Sequence, residues 1–99
     1  MADGWLKMAV EDGGGVRLRA GGHWDAGNVT HLDRLLRGAA PRGAASLVLD
    51  LGQVERLDTA GAWLLYRTLK ESRERGNRAD FAGLSPAHAA MLETVAAND

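Results

Sequence analysis

The sequence contains no cysteine, which excludes a disulfide scaffold and a thiolate metal site and is typical of a reducing compartment. No uninterrupted apolar stretch approaches the roughly 18–20 residues that cross a bilayer. The first residues also lack the basic-then-apolar order of a signal peptide. The net charge is −1, and basic residues alternate with acidic ones, so no broad field selects nucleic acid or anionic lipid. These absences predict a cytoplasmic protein that binds no nucleic acid.

Length and composition predict a single domain over residues 1–99. The apolar content of 45% and the charged content of 25% are those of an ordinary globular protein. A chain of 99 residues supports one modest hydrophobic core and not two.

The first part of the chain predicts a β-hairpin. Residues 5–10 and 16–20 alternate in side-chain character, with Leu6, Met8 and Val10 on one face of the first strand. The run Asp12-Gly13-Gly14-Gly15 between the two segments is a strong turn signal. Gly21-Gly22 is expected to end the second strand.

A helix and a buried strand are expected next. Residues 23–25 predict a loop, and Asn28 predicts the N-cap of a helix that ends near Arg37. Residues 38–43 contain glycine and proline and are expected to break the chain. The apolar run 46–51 predicts a strand covered on both faces, followed by a short connection at residues 53–56. The inward positions predicted for the helix are Val29, Leu32, Leu35 and Leu36.

The remainder of the chain predicts a helix, a strand and a last helix. The second helix is expected to begin near Asp58 or Thr59 and to end before Gly76-Asn77. Residues 78–82 predict a fourth strand, and Ser85 predicts the cap of a third helix. The resulting order β-β-α-β-α-β-α predicts an α/β fold with a mixed four-stranded sheet and about three helices. The predicted third helix carries Ala90, Met91 and Val95.

No catalytic or metal-binding constellation is found in the sequence. The three histidines have no partner of ligand type four residues away, and the serines lack a nucleophile-elbow context. The glycine run at residues 12–15 lies between hairpin strands and lacks the Gly-Lys-Ser/Thr ending of a phosphate loop. We therefore expect a protein without enzymatic activity, cofactor or metal.

The second helix carries an aromatic residue on its polar side. At about 100° per residue, the face opposite the predicted core contains Trp63 and Arg67, flanked by Thr59 and Tyr66. Tryptophan, tyrosine and arginine are enriched at binding hot spots, so this face predicts a partner surface. The alternative is that Trp63 folds over the junction loop or against Trp24. The predicted inward face consists of Gly61, Leu64, Leu65, Thr68, Leu69 and Ser72.

Thr59 lies at the junction between the predicted strand and this helix, and its hydroxyl has three candidate uses. It can cap the helix, although Asp58 could serve equally well. It can accept a phosphate, because unpaired backbone N–H groups and the positive end of the helix dipole favour an anion there. It can also contact a partner protein. The sequence leaves these three uses open.

The residues Val48-Leu49-Asp50-Leu51 and Leu57-Asp58-Thr59-Ala60-Gly61 resemble the STAS domain family, which occurs in anti-sigma-factor antagonists and transporter-associated proteins. The resemblance covers nearly the whole chain and implies a SpoIIAA-like fold. In the antagonist branch the hydroxyl residue directly before the glycine is phosphorylated by a partner kinase. That position is Ala60 here, which cannot accept phosphate.

The Asp58-Thr59-Ala60-Gly61 version is more similar to the MlaB-like branch, which accompanies Mla phospholipid-transport ABC systems or forms the N-terminus of related permeases. This resemblance implies a non-enzymatic domain that docks on the cytoplasmic ATPase subunit and meets the membrane only through the permease. It implies Thr59 as a contact residue, with Asp58 and Gly61 shaping the turn. The chain is then either a small protein at the inner face of the membrane or the N-terminal domain of a longer permease.

Two other functions are retained as alternatives. An anti-sigma-factor antagonist would use Thr59 as the phosphate acceptor and an anti-sigma-factor kinase as its partner. A nucleotide- or lipid-binding module has been proposed for some STAS relatives, but no phosphate loop or basic pocket supports it in this sequence.

Overall fold

The computed structural model describes residues 3–39 and 46–99, which form a four-stranded sheet and three α-helices. Within these residues no helix is long and apolar enough to cross a bilayer. The predicted order of strands and helices is confirmed. In chain order the elements are β1 (Trp5–Val10), β2 (Val16–Trp24), a 3-10 turn (Ala26–Asn28), α1 (Val29–Ala39), β3 (Ser46–Leu57), α2 (Thr59–Glu74), β4 (Arg78–Ala82) and α3 (Pro86–Ala97).

The sheet is mixed, and its strands follow the order β1-β2-β3-β4. β1 pairs antiparallel with β2 through the predicted glycine turn, where Gly13 and Gly14 both adopt positive φ. β2, β3 and β4 are mutually parallel neighbours. Right-handed crossovers between such neighbours place α1 and α2 on the same face of the sheet, where α2 packs against both α1 and α3.

The core lies between this face of the sheet and the helices. Side chains from alternate positions of β2 and β3 fill it, together with Leu32 and Leu36 of α1. The predicted inward face of α2 is confirmed, because all six of its residues are buried. The largest fully buried side chains are Trp24, Leu18, Leu32, Leu36, Leu47, Leu49, Leu51 and Leu65.

The prediction that Gly21-Gly22 ends β2 was wrong, because the strand continues to Trp24. The two glycines are used for close packing. A Cβ on Gly21 would lie 2.0 Å from the Trp5 ring, and one on Gly22 would lie 2.1 Å from the backbone oxygen of Asp3. The register shifts on either side of this pair, so the strand passes through an irregularity without ending.

The predicted loop at residues 53–56 was also wrong, because β3 extends to Leu57 along the lengthened β2. Contrary to the prediction, Asn28 does not cap α1. It ends the 3-10 turn, and its side-chain amide donates to the backbone oxygen of His23 at 3.0 Å. The predicted break begins later than expected, since α1 includes Gly38; residues 40–43 of that break lie outside the described residues.

The third helix begins as predicted. Ser85 caps α3 by accepting a hydrogen bond from the backbone N–H of His88 at 3.1 Å. Leu92 and Val95 are buried, whereas Ala90 is exposed. Leu92 and Val95 are therefore the residues by which α3 contributes to the core.

Candidate functional site

The corner between β3 and α2 is fixed by Asp58. One carboxylate oxygen accepts a hydrogen bond from the backbone N–H of Gly61 at 3.0 Å and caps α2, and the other accepts from the N–H of Ala26 at 2.9 Å. The backbone N–H of Asp58 donates to the carbonyl oxygen of Trp24 at 3.2 Å. Burial raises the pKa of Asp58, but the hydrogen bonds from Gly61 and Ala26 outweigh it and leave that pKa below its ordinary value. Asp58 therefore joins the start of α2 to the end of β2.

Gly61 allows α2 to approach β2 closely. A Cβ at this position would lie 1.9 Å from the carbonyl oxygen of Trp24. Trp24 is itself fully buried, and its indole N–H donates to the carbonyl oxygen of Gly21 at 3.0 Å, so its backbone is held in place. Gly61 thus shapes the corner, and no side chain of its own is available for recognition.

Thr59 is exposed at the first position of α2, and its hydroxyl does not cap the helix. Asp58 performs the capping. The Thr59 hydroxyl contacts the sulfur of Met91 on α3 at 3.8 Å, which is a weak interaction because a thioether is a poor acceptor. Of the three candidate uses, capping is excluded by this geometry, and the hydroxyl is available to a phosphate or a partner.

Trp63 and Tyr66 form an aromatic pair beside this hydroxyl. Their ring centroids are 5.7 Å apart, and the rings are tilted by 39°. Trp63 is 40% exposed, whereas Trp24 is completely buried. Trp24 thus lies in the core, whereas the Trp63 indole keeps a substantial exposed area one turn beyond Thr59.

Arg67 is directed largely toward α1. Its guanidinium forms a close ion pair with Asp33 and lies 3.9 Å from the carboxylate of Glu71. The hydrogen bond from Arg67 lowers the pKa of Asp33 below its ordinary value. Because Arg67 already has these partners and is only a quarter exposed, it belongs to the rim of the predicted surface.

The sequence analysis missed a cluster at the far side of Tyr66. The Tyr66 hydroxyl donates to the carboxylate of Asp99 at 2.9 Å, and the ammonium group of Lys70 approaches the same oxygen at 2.5 Å. These hydrogen bonds from Lys70 and Tyr66 lower the pKa of Asp99. The spacing of Tyr66 and Lys70 along the helix was visible in the sequence, but nothing in the pattern connected them to a residue 33 positions from Tyr66.

Thr59, Trp63 and Tyr66 form a contiguous part of the surface at this corner. Over residues 3–39 and 46–99, no group of three or more histidine, aspartate or glutamate side chains is placed to hold a metal ion. We call Asp58, Thr59, Gly61, Trp63 and Tyr66 the α2 corner. It combines a fixed backbone, one available hydroxyl and an aromatic pair; tryptophan and tyrosine are residues enriched at protein-binding hot spots.

The comparisons with known proteins agree with this fold. A family model described as Mlab, STAS domain matches residues 8–99, and the chain belongs to this STAS family. No curated protein matches the chain in sequence.

Solved structures similar to the chain are STAS-containing proteins with low sequence identity. The antisigma-factor antagonist STAS domain from Rhodobacter sphaeroides is 17% identical, with 81% of this chain and 86% of that chain covered and a TM-score of 0.66. The Bacillus cell-fate determinant SpoIIAA in its phosphorylated form is 16% identical, with 91% and 82% covered and a TM-score of 0.69. The murine anion transporter Slc26a9 is 12% identical, with 95% of this chain but only 18% of the transporter covered and a TM-score of 0.69. At these identities the likeness shows the fold alone.

Proposed function

We propose that the chain is a non-enzymatic STAS protein of an Mla-type phospholipid ABC transport system and that it docks on the ATPase subunit through the α2 corner. The observation that carries the proposal is the joint exposure of Thr59 and Trp63 one turn apart, in a turn whose cap is already supplied by Asp58. Membership of the Mlab family supports the transporter branch of the STAS domains. The proposed location is the cytoplasm, with the membrane reached only through the permease.

Each residue of the surface has a separate proposed role. Thr59 supplies a hydrogen bond to the ATPase subunit, and Trp63 with Tyr66 supplies the apolar contact area that excludes water from that bond. Arg67 contributes at the rim, where a charge that is already paired adds little affinity. Asp58 and Gly61 act through the backbone, because they hold the first turn of α2 in position.

The proposal is tested by binding of the purified ATPase subunit encoded in the same genome. Thr59→Ala and Trp63→Ala are each expected to weaken binding about tenfold or more, since a hot-spot residue is worth roughly 2 kcal/mol or more. Two matched controls are available on or beside α3. Thr94→Ala removes another exposed threonine hydroxyl, and Leu84→Ala removes an apolar side chain that is 37% exposed.

The four variants decide whether the α2 corner binds the ATPase subunit, provided that thermal unfolding of each variant is measured together with its binding. Loss of binding by the two corner variants, with both controls at wild-type affinity and all four folded, supports the surface. Undiminished binding by both corner variants overturns it. Equal loss in corner and control variants also contradicts the assignment, because the effect would then not be local to the α2 corner.

A second candidate function is an anti-sigma-factor antagonist regulated by phosphorylation. The observation in its favour is the exposed hydroxyl of Thr59 at a helix N-terminus, where backbone N–H groups and the dipole stabilise a phosphate. The kinase would transfer the γ-phosphate of ATP to the Thr59 oxygen. Incubation with the candidate anti-sigma-factor kinase and ATP tests this by intact mass, with Thr59→Ala as the control; absence of a phosphate-sized mass gain excludes the switch.

A further inference from the structure

Strand β1 is an edge strand with an open outer side. It pairs with β2 along its full length, from Trp5 opposite Gly21 to Val10 opposite Val16. Over the described ranges 3–39 and 46–99, no strand pairs with its other side. An open edge presents backbone N–H and C=O groups that can pair with another chain, and natural proteins usually protect such edges with charges or coverage. β1 therefore has backbone groups that are available for recognition.

The strand period places two basic side chains together on the sheet face that the helices leave uncovered. Lys7 lies directly opposite Arg19 in the register of β1 and β2, and like charges in that position destabilise a sheet. The guanidinium of the neighbouring Arg17 forms ion pairs with the carboxylates of Asp50 and Glu11, with N–O distances of 2.9 Å and 3.5 Å. Among the described residues Lys7 forms no ion pair, whereas Arg19 lies opposite Asp50 in the register of β2 and β3, so that Asp50 offsets part of its charge.

An aromatic ring adjoins this pair of cations. The ammonium group of Lys7 lies 5.3 Å from the centroid of the Trp5 ring, and the ring itself packs over Gly21, where there is no room for a side chain. The cation–π contact stabilises Lys7 only modestly at an exposed site. It leaves the ammonium group free to form an ion pair with an incoming carboxylate beside an apolar surface.

The other face of β1 is apolar and uncovered toward the end of the strand. Met8 and Val10 are 58% and 72% exposed, and both are on the same face as the buried Leu18 and Val16 opposite them. Leu6, further back along the strand, packs against the core. One edge of the sheet thus combines a free backbone ladder, two cations on one face and two exposed apolar side chains on the other.

We propose that β1 receives an extended segment of a partner protein as a fifth strand, in which acidic side chains alternate with apolar ones. Backbone pairing to β1 supplies affinity, as in other cases of strand addition. The alternation supplies specificity, because acidic residues reach Lys7 and Arg19 while apolar residues cover Met8 and Val10. This surface differs from the α2 corner. Helix α2 packs over β3 and β4, whereas β1 lies at the opposite edge of the sheet.

Charge argues for such a segment over a bilayer or a second copy of the chain. Anionic membranes retain proteins through clusters of about four to eight basic residues, whereas Lys7, Arg17 and Arg19 share this face with the carboxylates of Asp50 and Glu11. A second copy pairing β1 against β1 would bring further lysine and arginine side chains to the same face, and like charges there are repulsive. An acidic segment of a different protein neutralises the cations instead.

The probe is a blocked eight-residue peptide in which valine and glutamate alternate, added to the 15N-labelled full chain and followed by NMR. We expect amide shifts and slowed hydrogen exchange in residues 5–10, with a Kd that rises with salt. A peptide with lysine in place of glutamate should bind at least about tenfold more weakly. Lys7→Glu and Arg19→Glu should each reduce affinity for the glutamate peptide roughly tenfold.

Control variants separate this proposal from simple misfolding and from the proposed function. Arg34→Glu reverses an exposed charge on α1 and should leave peptide binding unchanged, as should Thr59→Ala in the α2 corner. Lys7→Gln removes the charge without reversing it and should give an intermediate loss, which covers the case in which Lys7→Glu fails to fold. Because Thr59→Ala is tested for ATPase binding separately, the two surfaces succeed or fail independently.

Several results would overturn strand addition at β1. Absence of shifts in residues 5–10 at millimolar peptide, or equal binding of the glutamate and lysine peptides, contradicts it. Binding to vesicles of phosphatidylglycerol and phosphatidylcholine that requires Lys7, without peptide binding, would assign the face to a membrane. Concentration-dependent dimerisation that Met8→Glu abolishes, again without peptide binding, would assign the edge to a second copy.

Discussion

Helices α2 and α3 begin with the same kind of cap and differ in the side chains that follow it. Asp58 caps α2 by accepting from the N–H three residues later, and Ser85 does the same for α3. In α3 the first helical position is Pro86, and the exposed fifth position is Ala90. In α2 the same two positions carry Thr59 and Trp63, and both are exposed.

The first turn of α2 therefore contains side chains that the first turn of α3 does without. Pro86 and Ala90 show that a capped, exposed first turn on this fold needs neither a hydroxyl at the first position nor an aromatic ring at the fifth. An exposed tryptophan is unfavourable for solubility unless it has a use. Thr59 and Trp63 are therefore not required to begin the helix, whereas Asp58 and Gly61 fix the position of its first turn.

The largest difference between the two helix starts is expected at their third helical positions. Gly61→Ala should reduce the free energy of unfolding by about 3 kcal/mol, because the new Cβ would lie 1.9 Å from the carbonyl oxygen of Trp24. His88→Ala, at the equivalent position of α3, should cost less than about 1 kcal/mol. Urea unfolding of both variants measures the difference, and similar values would show that α2 is not held against β2.

The two caps should differ by a smaller amount. Asp58→Ala removes two hydrogen bonds that join the start of α2 to the 3-10 turn, so a loss of about 2 kcal/mol is expected. Ser85→Ala removes one, and a loss of about 1 kcal/mol is expected. Thermal and urea unfolding provide the values. A larger loss for Ser85→Ala would reverse the comparison.

The pH dependence of stability should distinguish Asp58 from an uncharged cap. Its pKa is lowered in the folded protein, so its contribution is fully present above the ordinary aspartate pKa and is lost as the pH falls through the lowered native value. Asp58→Asn retains capping ability but does not titrate. The stability difference between wild type and this variant should thus shrink on acidification, as followed by urea unfolding from pH 7 downward; a constant difference would contradict a lowered pKa.

The smallest effect on stability is expected at Thr59. Thr59→Ala should change the free energy of unfolding by no more than about 0.5 kcal/mol, because its hydroxyl has only the weak contact with Met91. Thr94→Ala provides the reference for an exposed helical threonine. If calorimetry finds that Thr59→Ala destabilises the protein as much as Asp58→Ala, Thr59 is a structural residue and the comparison with α3 fails.

Periodicity and turn chemistry were sufficient to predict the order of the elements and the buried face of α2. They failed at Gly21-Gly22, because a glycine pair that ends a strand and one that admits the Trp5 ring look the same in a sequence. For the same reason β3 was predicted too short, since its last residues pair with the part of β2 beyond these glycines. Local signals do not report which distant side chain occupies the space above a glycine.

The candidate site was predictable where its residues are close in sequence. The exposed Thr59 and the outward Trp63 follow from helical spacing within one and a half turns, whereas spacing did not decide between Asp58 and Thr59 as the cap. The ion pair of Arg67 with Asp33 spans 34 positions, and the link from Asp58 to Ala26 spans 32. Such contacts depend on how α1 and α2 pack, which no local pattern specifies.

The most direct test of the account places a photo-crosslinking residue in the α2 corner. Trp63→benzoylphenylalanine should crosslink to the ATPase subunit on irradiation, and the crosslink should be lost when Thr59→Ala is added. Leu84→benzoylphenylalanine, at another exposed apolar position, should give no crosslink. A crosslink from position 84 and none from position 63 would contradict docking through the start of α2.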